Sequence, residues 1–121
     1  MTDIRFETVA EGLRFPEGPV VMKDDTVLLV EIARRTVTRV HPDGRCEIVA
    51  QLDGGPNGAA VGPDGALYIC NNGGFNWHES PETGLRPHGQ AGDYSGGRIE
   101  RLCLRTGEVR TLYTHSDKAP L

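Results

Sequence analysis

The chain has 121 residues, with 13 Lys and Arg against 17 Asp and Glu, and its sequence pI is about 5.5. Nucleic-acid-binding domains usually have a basic face and a pI above about 9, so we expect no nucleic-acid partner. The sequence has no apolar run near the roughly 18 residues of a membrane span, and its charged N-terminus is unlike a signal peptide, so we expect a cytoplasmic protein with no membrane contact.

Short β-rich runs separated by turn residues follow one another along the chain. The first four are Pro19–Met22, Thr26–Val30, Thr36–Val40 and Cys46–Ala50, and the next four are Gly58–Val61, Ala66–Cys70, Arg98–Leu102 and Val109–Tyr113. Turns are abundant, because the chain has 16 Gly and 8 Pro. The sequence shows no sustained apolar stripe of helical period, so we predict an all-β fold.

The chain contains an internal repeat, because residues 6–30 align with residues 46–70 without a gap. The aligned residues include Pro16 with Pro56 and Gly18 with Gly58, and most apolar positions agree. Four strands in a unit of roughly 40 residues are typical of a β-propeller blade. An eight-stranded sandwich is the alternative, but a sandwich would not need the repeat.

The repeat divides the chain into three parts. Residues 6–10 match the last strand of the first unit, so we predict an outer strand that completes another blade and closes a ring. Residues 16–50 form a first blade, and residues 56–114 form a second blade with a loop insertion at 71–97. The remaining blades would come from a longer parent chain or from self-association.

Glu17 and Asn57 occupy equivalent positions at the start of the first strand in each unit. The first strand of a blade lines the central channel, so both side chains would point toward one axis. Oxygen donors that converge on an axis suit a hard cation such as Ca²⁺ or Mg²⁺. The alternatives are that Glu17 forms a salt bridge and that Asn57 only shapes its turn.

The insertion at 71–97 would lie over the same mouth of the channel, because it joins the second and third strands of its blade. Loops longer than about 12–15 residues are usually functional or disordered. This one carries Trp77 and His78, which suit the wall of a site for a small polar ligand. The alternative is that Trp77 and Phe75 only pack against each other within the loop.

The segments 15–20, 56–58, 63–65 and 71–75 together resemble the SMP-30/gluconolactonase/LRE-like family. The resemblance runs from Phe6 to Leu121 and implies about two four-stranded blades of a six-bladed propeller. It also implies a hydrolase that opens lactones of sugars and related compounds. The implied cofactor is a divalent cation, Ca²⁺ in the first place, with Zn²⁺ or Mg²⁺ as alternatives.

The resemblance implies roles for individual residues. Glu17 matches the metal-binding Glu of the family, and Asn57 matches a polar position on the substrate side. We add Asn72, Trp77 and His78 as candidate substrate-binding residues. The family's metal-binding Asn, and the Asp that is both ligand and catalytic base, have no counterpart here, so we expect no catalytic base before Leu121.

Two functions of different classes follow. The first is the N-terminal portion of a metal-dependent lactonase, in which metal and carboxylate-activated water act together on the lactone carbonyl. The alternative is a non-catalytic propeller module that binds a ligand or a protein. Three copies of the chain would also supply six blades, and a truncation product with exposed sheet edges is a further reading.

Overall fold

The computed structural model describes residues 3–121, and within this range it contains ten strands and no helix. The all-β prediction is therefore confirmed. The strands are β1 Pro16–Val21, β2 Val27–Glu31, β3 Thr36–Val40, β4 Cys46–Gln51, β5 Pro56–Val61, β6 Leu67–Asn71, β7 Phe75–Ser80, β8 Gly84–Gln90, β9 Arg98–Leu102 and β10 Val109–Tyr113. A search of residues 3–121 for a helix able to cross a membrane finds none.

Eight of the strands form two antiparallel four-stranded sheets, which are two propeller blades. The first blade has the order β1-β2-β3-β4, and the second has β5-β6-β9-β10. The blades meet along their inner strands, where the backbone of Gly18 lies against Gly58 and Ala59. This contact places the beginnings of β1 and β5 side by side.

The repeat found in the sequence is also present in the structure. The first and last residues of β5 and β6 are the repeat counterparts of those of β1 and β2. Both inner strands begin earlier than predicted, at Pro16 instead of Pro19 and at Pro56 instead of Gly58. A proline fits at the first residue of a strand because no ladder hydrogen bond from its nitrogen is needed there.

The insertion predicted as a loop at 71–97 contains a β-hairpin, so the loop assignment is wrong for its central part. Strands β7 and β8 pair antiparallel around a tight turn at Gly84, whose φ is 67°. Phe75 and Trp77 alternate with polar residues, which is the pattern of a strand with one packed face. Frequent Gly and Pro residues on both sides obscure this short pattern in the sequence.

Residues 6–10 form no strand in this structure. The carbonyl of Val9 lies close to Gly44, where a Cβ would approach it to 2.6 Å. The sheet that these residues are predicted to complete is not part of this chain. Their role as an outer strand therefore stays a prediction.

The core lies between and within the two blades. It is built from the inward-facing residues of β2, β3, β6 and β9 together with one residue that follows β4. These residues are Leu28, Val30, Val37, Leu52, Leu67, Ile69 and Leu102, all at most 5% exposed. Because the core spans both sheets, it fixes the two inner strands relative to each other.

Candidate functional site

Glu17 and Asn57 lie at the same level of the two neighbouring inner strands. A Cβ at Gly18 would stand 2.8 Å from the nitrogen of Ala59 and 3.2 Å from Cα of Gly58, so the two backbones are in close contact just beyond both residues. Each strand has a register irregularity beside its polar residue, between Glu17 and Val20 and between Pro56 and Gly58. Such bulges often re-aim a side chain near a functional site.

Both side chains are exposed, and neither makes a side-chain hydrogen bond or ion pair with any other of residues 3–121. The alternative of a salt bridge at Glu17 therefore has no partner in that range. Among these residues there is also no group of three or more His, Cys, Asp and Glu side chains that could hold a metal. The pair offers one carboxylate and one amide to a ligand.

A buried carboxylate lies beside the beginning of β1. Glu31 ends β2, is 1% exposed and pairs with Pro16 across the sheet. Its Oε1 accepts hydrogen bonds from the backbone nitrogen of Arg14 and from Nε of Arg34, both at 2.7 Å. Its Oε2 accepts from the hydroxyls of two threonines of β3, Thr36 and Thr38.

These contacts keep Glu31 ionised inside the blade. Burial raises the pKa of this carboxyl, but the hydrogen bonds from Arg34, Thr38 and the amide of Arg14 outweigh it and hold the pKa below its ordinary value. A buried charge is tolerated only when it is paired and hydrogen-bonded. Glu31 therefore ties the segment before β1 to the rest of its blade.

Asn71 occupies the equivalent position at the end of β6. Its Oδ1 accepts from the amides of Gly55 and Gly73, both at 2.9 Å. Its Nδ2 donates to the carbonyl of Asp53 and to Oε1 of buried Glu100, both at 2.8 Å. Asn71 thus holds the residues that lead to Asn57, as Glu31 holds the residues that lead to Glu17.

Asn72 is half-buried and lies next to the start of β5. Its backbone nitrogen donates to the carbonyl of Gly55, and its side-chain Oδ1 accepts from the backbone nitrogen of Gly74, both at 2.8 Å. The same Oδ1 occupies the space that a Cβ at Gly55 would need. The predicted substrate-binding residue therefore has a local structural role, while its Nδ2 makes no hydrogen bond within residues 3–121.

The β7–β8 hairpin of the second blade packs on the first blade. The Trp77 ring packs against Phe15 with centroids 5.1 Å apart and the rings tilted by 51°, and Phe75 meets it edge-on at 6.0 Å. Trp77 therefore packs against the other blade and not only within its own loop. Because Phe15 is two residues before Glu17, this contact brings the hairpin to the start of β1.

Two ion pairs also join the 71–97 insertion to the first blade and the segment before it. Arg14 binds Glu79 at 2.8 Å, and Arg35 binds Asp93 through two nitrogens at 2.8 and 3.1 Å. The hydrogen bond from Arg35 lowers the pKa of the Asp93 carboxyl. These ion pairs are substantially exposed, and exposed pairs contribute at most about 1 kcal/mol to stability. The aromatic contact therefore stabilises the packing of the hairpin on the first blade at least as much as the ion pairs do.

His78 lies on the other face of the hairpin. Neighbouring residues of a strand point to opposite sides, so His78 faces away from the Trp77–Phe15 contact and is exposed. It pairs with Arg86 across the hairpin and lines a shallow cavity with Arg86 and His88. The structure therefore separates the predicted ligands Trp77 and His78.

Sequence reasoning missed Glu31 and Asn71 as organising residues. A signal exists, because each comes directly after a run of apolar strand residues and the two would align in the repeat. Extending the repeat by one residue would have paired them. Their partners on β3 and β9 could be identified only from the strand register.

Comparison with known proteins bears on the whole molecule. The family model described as SMP-30/gluconolactonase/LRE-like region matches residues 15–120, which cover both blades and the hairpin. The curated proteins compared with the chain include no match. The match contains Glu17, Asn57, Glu31 and Asn71, and it agrees with the resemblance seen in the sequence. The chain belongs to the SMP-30/gluconolactonase/LRE-like family.

Proposed function

We propose that this chain is the N-terminal portion of a metal-dependent lactonase that hydrolyses a sugar lactone or a related lactone. The observation that carries the proposal is the pair of exposed side chains, Glu17 and Asn57, without partners in residues 3–121 and level with each other on adjacent inner strands. Family membership supports the same reaction class.

The donor chemistry fits a hard divalent cation in part. A carboxylate oxygen and an amide oxygen are ligands that Ca²⁺ and Mg²⁺ accept, whereas Zn²⁺ favours nitrogen and sulfur. Ca²⁺ takes six to eight oxygens, so Glu17 and Asn57 would supply only a fraction of its shell. We propose that the other ligands come from blades outside this chain, in a parent protein or in an assembly of copies.

In this proposal a divalent cation, when bound, would supply Lewis-acid polarisation of the lactone carbonyl. Glu17 would hold the cation, and Asn57 would offer its Oδ1 to the cation and its Nδ2 to the substrate. The Nδ2 group of Asn72 donates a hydrogen bond to a substrate oxygen, and Trp77 with Phe15 excludes water from one side. The general base that takes a proton from the attacking water would come from another blade, since the resemblance assigns none here.

Calorimetric titration with Ca²⁺ and a lactone-hydrolysis assay, both on the assembled protein, test the proposal. Glu17→Gln keeps the shape of the side chain and removes its charge, so it should weaken Ca²⁺ binding and abolish hydrolysis. Glu11→Gln is the matched control, because Glu11 is exposed and lies outside all strands. Molar mass measured in the same samples identifies the assembly that is assayed.

Hydrolysis that survives Glu17→Gln would contradict the proposal. Ca²⁺ binding that depends on Glu17, without turnover of any lactone, would instead favour a non-catalytic binding module. Equal losses in the Glu17 and Glu11 variants would point to general electrostatics and would also count against a site at Glu17.

A further inference from the structure

The segment that leads to Glu17 is held by the buried carboxylate of Glu31, by Arg34 and by two backbone hydrogen bonds. Glu31 accepts a hydrogen bond from the backbone nitrogen of Arg14 at 2.7 Å. Arg34, which also binds Glu31, donates a hydrogen bond to the carbonyl of Gly12 at 2.6 Å. Two backbone bonds extend the pairing beyond β1, from Ile32 to the carbonyl of Phe15 and from Ala33 to that of Arg14. Residues 12–15 are thereby anchored along the end of β2.

This anchorage maintains an unfavourable backbone conformation. Phe15 has a φ of 60°, in the left-handed region that a bulky residue rarely adopts. Such conformations cost of the order of 1–3 kcal/mol and persist only where the surroundings impose them. The conformation turns the Phe15 ring onto Trp77 and sets the direction in which Pro16 and Glu17 follow.

The second blade provides an independent instance of the same arrangement. Asn71 is the counterpart of Glu31 at the end of β6. It accepts a hydrogen bond from the backbone nitrogen of Gly55, which lies two residues before Asn57. In both blades the last residue of the second strand thus holds the chain just before the polar residue of the inner strand. Glu31 and Asn71 share this arrangement although they differ in charge and partners.

We propose that Glu31 is a positioning residue for the Glu17 site, acting through the amide of Arg14 and the conformation of Phe15. The metal-binding part of this inference rests on the proposed function. Removing the Glu31 carboxylate would release Arg14, let Phe15 leave its left-handed conformation and move the Glu17 carboxylate away from Asn57. Residues that orient a metal ligand typically change metal affinity by tenfold or more when they are replaced.

Trp77 is the only tryptophan of the chain and packs against Phe15, so its fluorescence reports the position of Phe15 without any metal. Glu31→Ala should shift the Trp77 emission to the red and weaken Ca²⁺ binding about tenfold. Glu31→Gln should restore both signals to near those of the natural protein. Its Oε1 can still accept from Arg14, and its Nε2 can donate to the hydroxyl oxygens of β3.

Two further variants separate positioning from general stability. Val37→Ala removes two buried methyl groups from the same blade and should lower the melting temperature without changing the Trp77 emission or Ca²⁺ affinity. Glu31→Asp keeps the charge but withdraws the carboxylate from Arg14, so it should change both signals in the direction of the alanine variant. It also serves if Glu31→Ala does not fold.

The inference is overturned if the folded Glu31→Ala or Glu31→Asp protein keeps its Trp77 emission and Ca²⁺ affinity, or if Val37→Ala changes them equally. Absence of Ca²⁺ binding in the natural protein would overturn the proposed function instead. In that case the emission of Trp77 still decides whether Glu31 positions Phe15.

Discussion

In both blades the last residue of the second strand accepts a hydrogen bond from the backbone just before the inner strand. The side chain that does so is a carboxylate in the first blade and an amide in the second. In the first blade the carboxylate of Glu31 lies on the second strand and faces two threonines of the third strand. In the second blade an amide, Asn71, lies on the second strand and the carboxylate, Glu100, lies on the third. Each carboxylate also has an arginine, Arg34 at 2.7 Å and Arg98 at 3.2 Å.

The difference shows that the repeat preserves an arrangement of donors and acceptors and not the identity of the residues. A side chain of the second strand must accept a hydrogen bond from a backbone N–H in the segment before the inner strand, and both Glu31 and Asn71 do so. The rest of each network adjusts so that no described buried side-chain nitrogen or oxygen lacks a partner. Replacing the amide of the second blade by a carboxylate should therefore cost more stability than replacing the carboxylate of the first blade by an amide.

The largest effect is expected for Asn71→Asp. The new carboxylate would face the carboxylate of Glu100 and the carbonyl of Asp53, where Nδ2 now donates at 2.8 Å to each. An uncompensated buried charge costs about 3–5 kcal/mol, so the free energy of unfolding should fall by about that amount. Chemical denaturation followed by circular dichroism measures it.

The reverse exchange at the equivalent site is the matched control. Glu31→Gln should cost only about 1 kcal/mol, because the amide keeps an acceptor for Arg14 and gains a donor for the threonine oxygens. The double variant Asn71→Asp with Glu100→Gln should recover much of the loss by restoring one carboxylate and one amide. Equal costs for the two single exchanges would refute the difference between the blades.

A second prediction concerns the contact of the inner strands at the repeated glycines. Gly18 has a φ of 58°, and a Cβ there would lie 2.8 Å from the nitrogen of Ala59. Gly58, at the equivalent position, has open space until Cβ of Cys70 at 3.8 Å. Gly18→Ala should therefore destabilise the protein by about 2 kcal/mol through left-handed strain and displacement of the second blade.

Gly58→Ala tests whether that loss is specific. It should change the free energy of unfolding by less than about 0.5 kcal/mol, as is usual away from strained or crowded positions. Thermal unfolding of both variants under identical conditions makes the comparison. A larger loss for Gly58→Ala than for Gly18→Ala would contradict the close approach of the inner strands.

Eight of the ten strands could be predicted because local sequence encodes them. Apolar β-rich runs bounded by turns such as Pro63-Asp64-Gly65 give the strand order, and the internal repeat indicates blades. The structure also places Glu17 and Asn57 on adjacent inner strands, as their equivalent positions suggested. Their roles as ligands remain predictions.

The missed features depend on contacts between distant parts of the chain. A charged residue such as Glu31 is recognisable as buried only when its partners on β3 are known, and those depend on strand register. Trp77 packs on Phe15, which directly precedes the first strand of the other blade and lies far earlier in the chain, and this pairing has no local signal. Recognising the hairpin would have separated Trp77 from His78, since adjacent strand residues face opposite sides.

The smallest predicted effect concerns an exposed aspartate that has an equivalent in each blade. Each aspartate accepts a hydrogen bond from a hydroxyl group, but the residue that donates it stands at a different position of the repeat. In the first blade Asp24 accepts from the hydroxyl and amide of Thr26, with Arg39 nearby at 3.8 Å. In the second blade Asp64 accepts from the hydroxyl of Tyr68 at 2.8 Å. It also binds two nitrogens of Arg101, each at 3.1 Å.

Both aspartates have a lowered pKa, and the first cause is the hydroxyl in each case, that of Thr26 for Asp24 and that of Tyr68 for Asp64. A lowered pKa in the folded state means that each carboxylate stabilises the fold above the unfolded pKa of about 3.9. That contribution is lost as the pH falls through the folded-state pKa. Tyr68→Phe should therefore raise the pKa of Asp64 toward its ordinary value and move this loss to higher pH.

Asp24 is the internal control, because its hydroxyl donor lies in the other blade and is untouched by Tyr68→Phe. Carboxyl-carbon NMR titration resolves the two aspartates, and only the Asp64 curve should move. The two hydrogen bonds from Arg101 to Oδ2 of Asp64 remain, so the pKa of Asp64 should stay somewhat lowered. If both curves moved together, the two networks would be coupled across the blades, and each repeat would not hold its own aspartate independently.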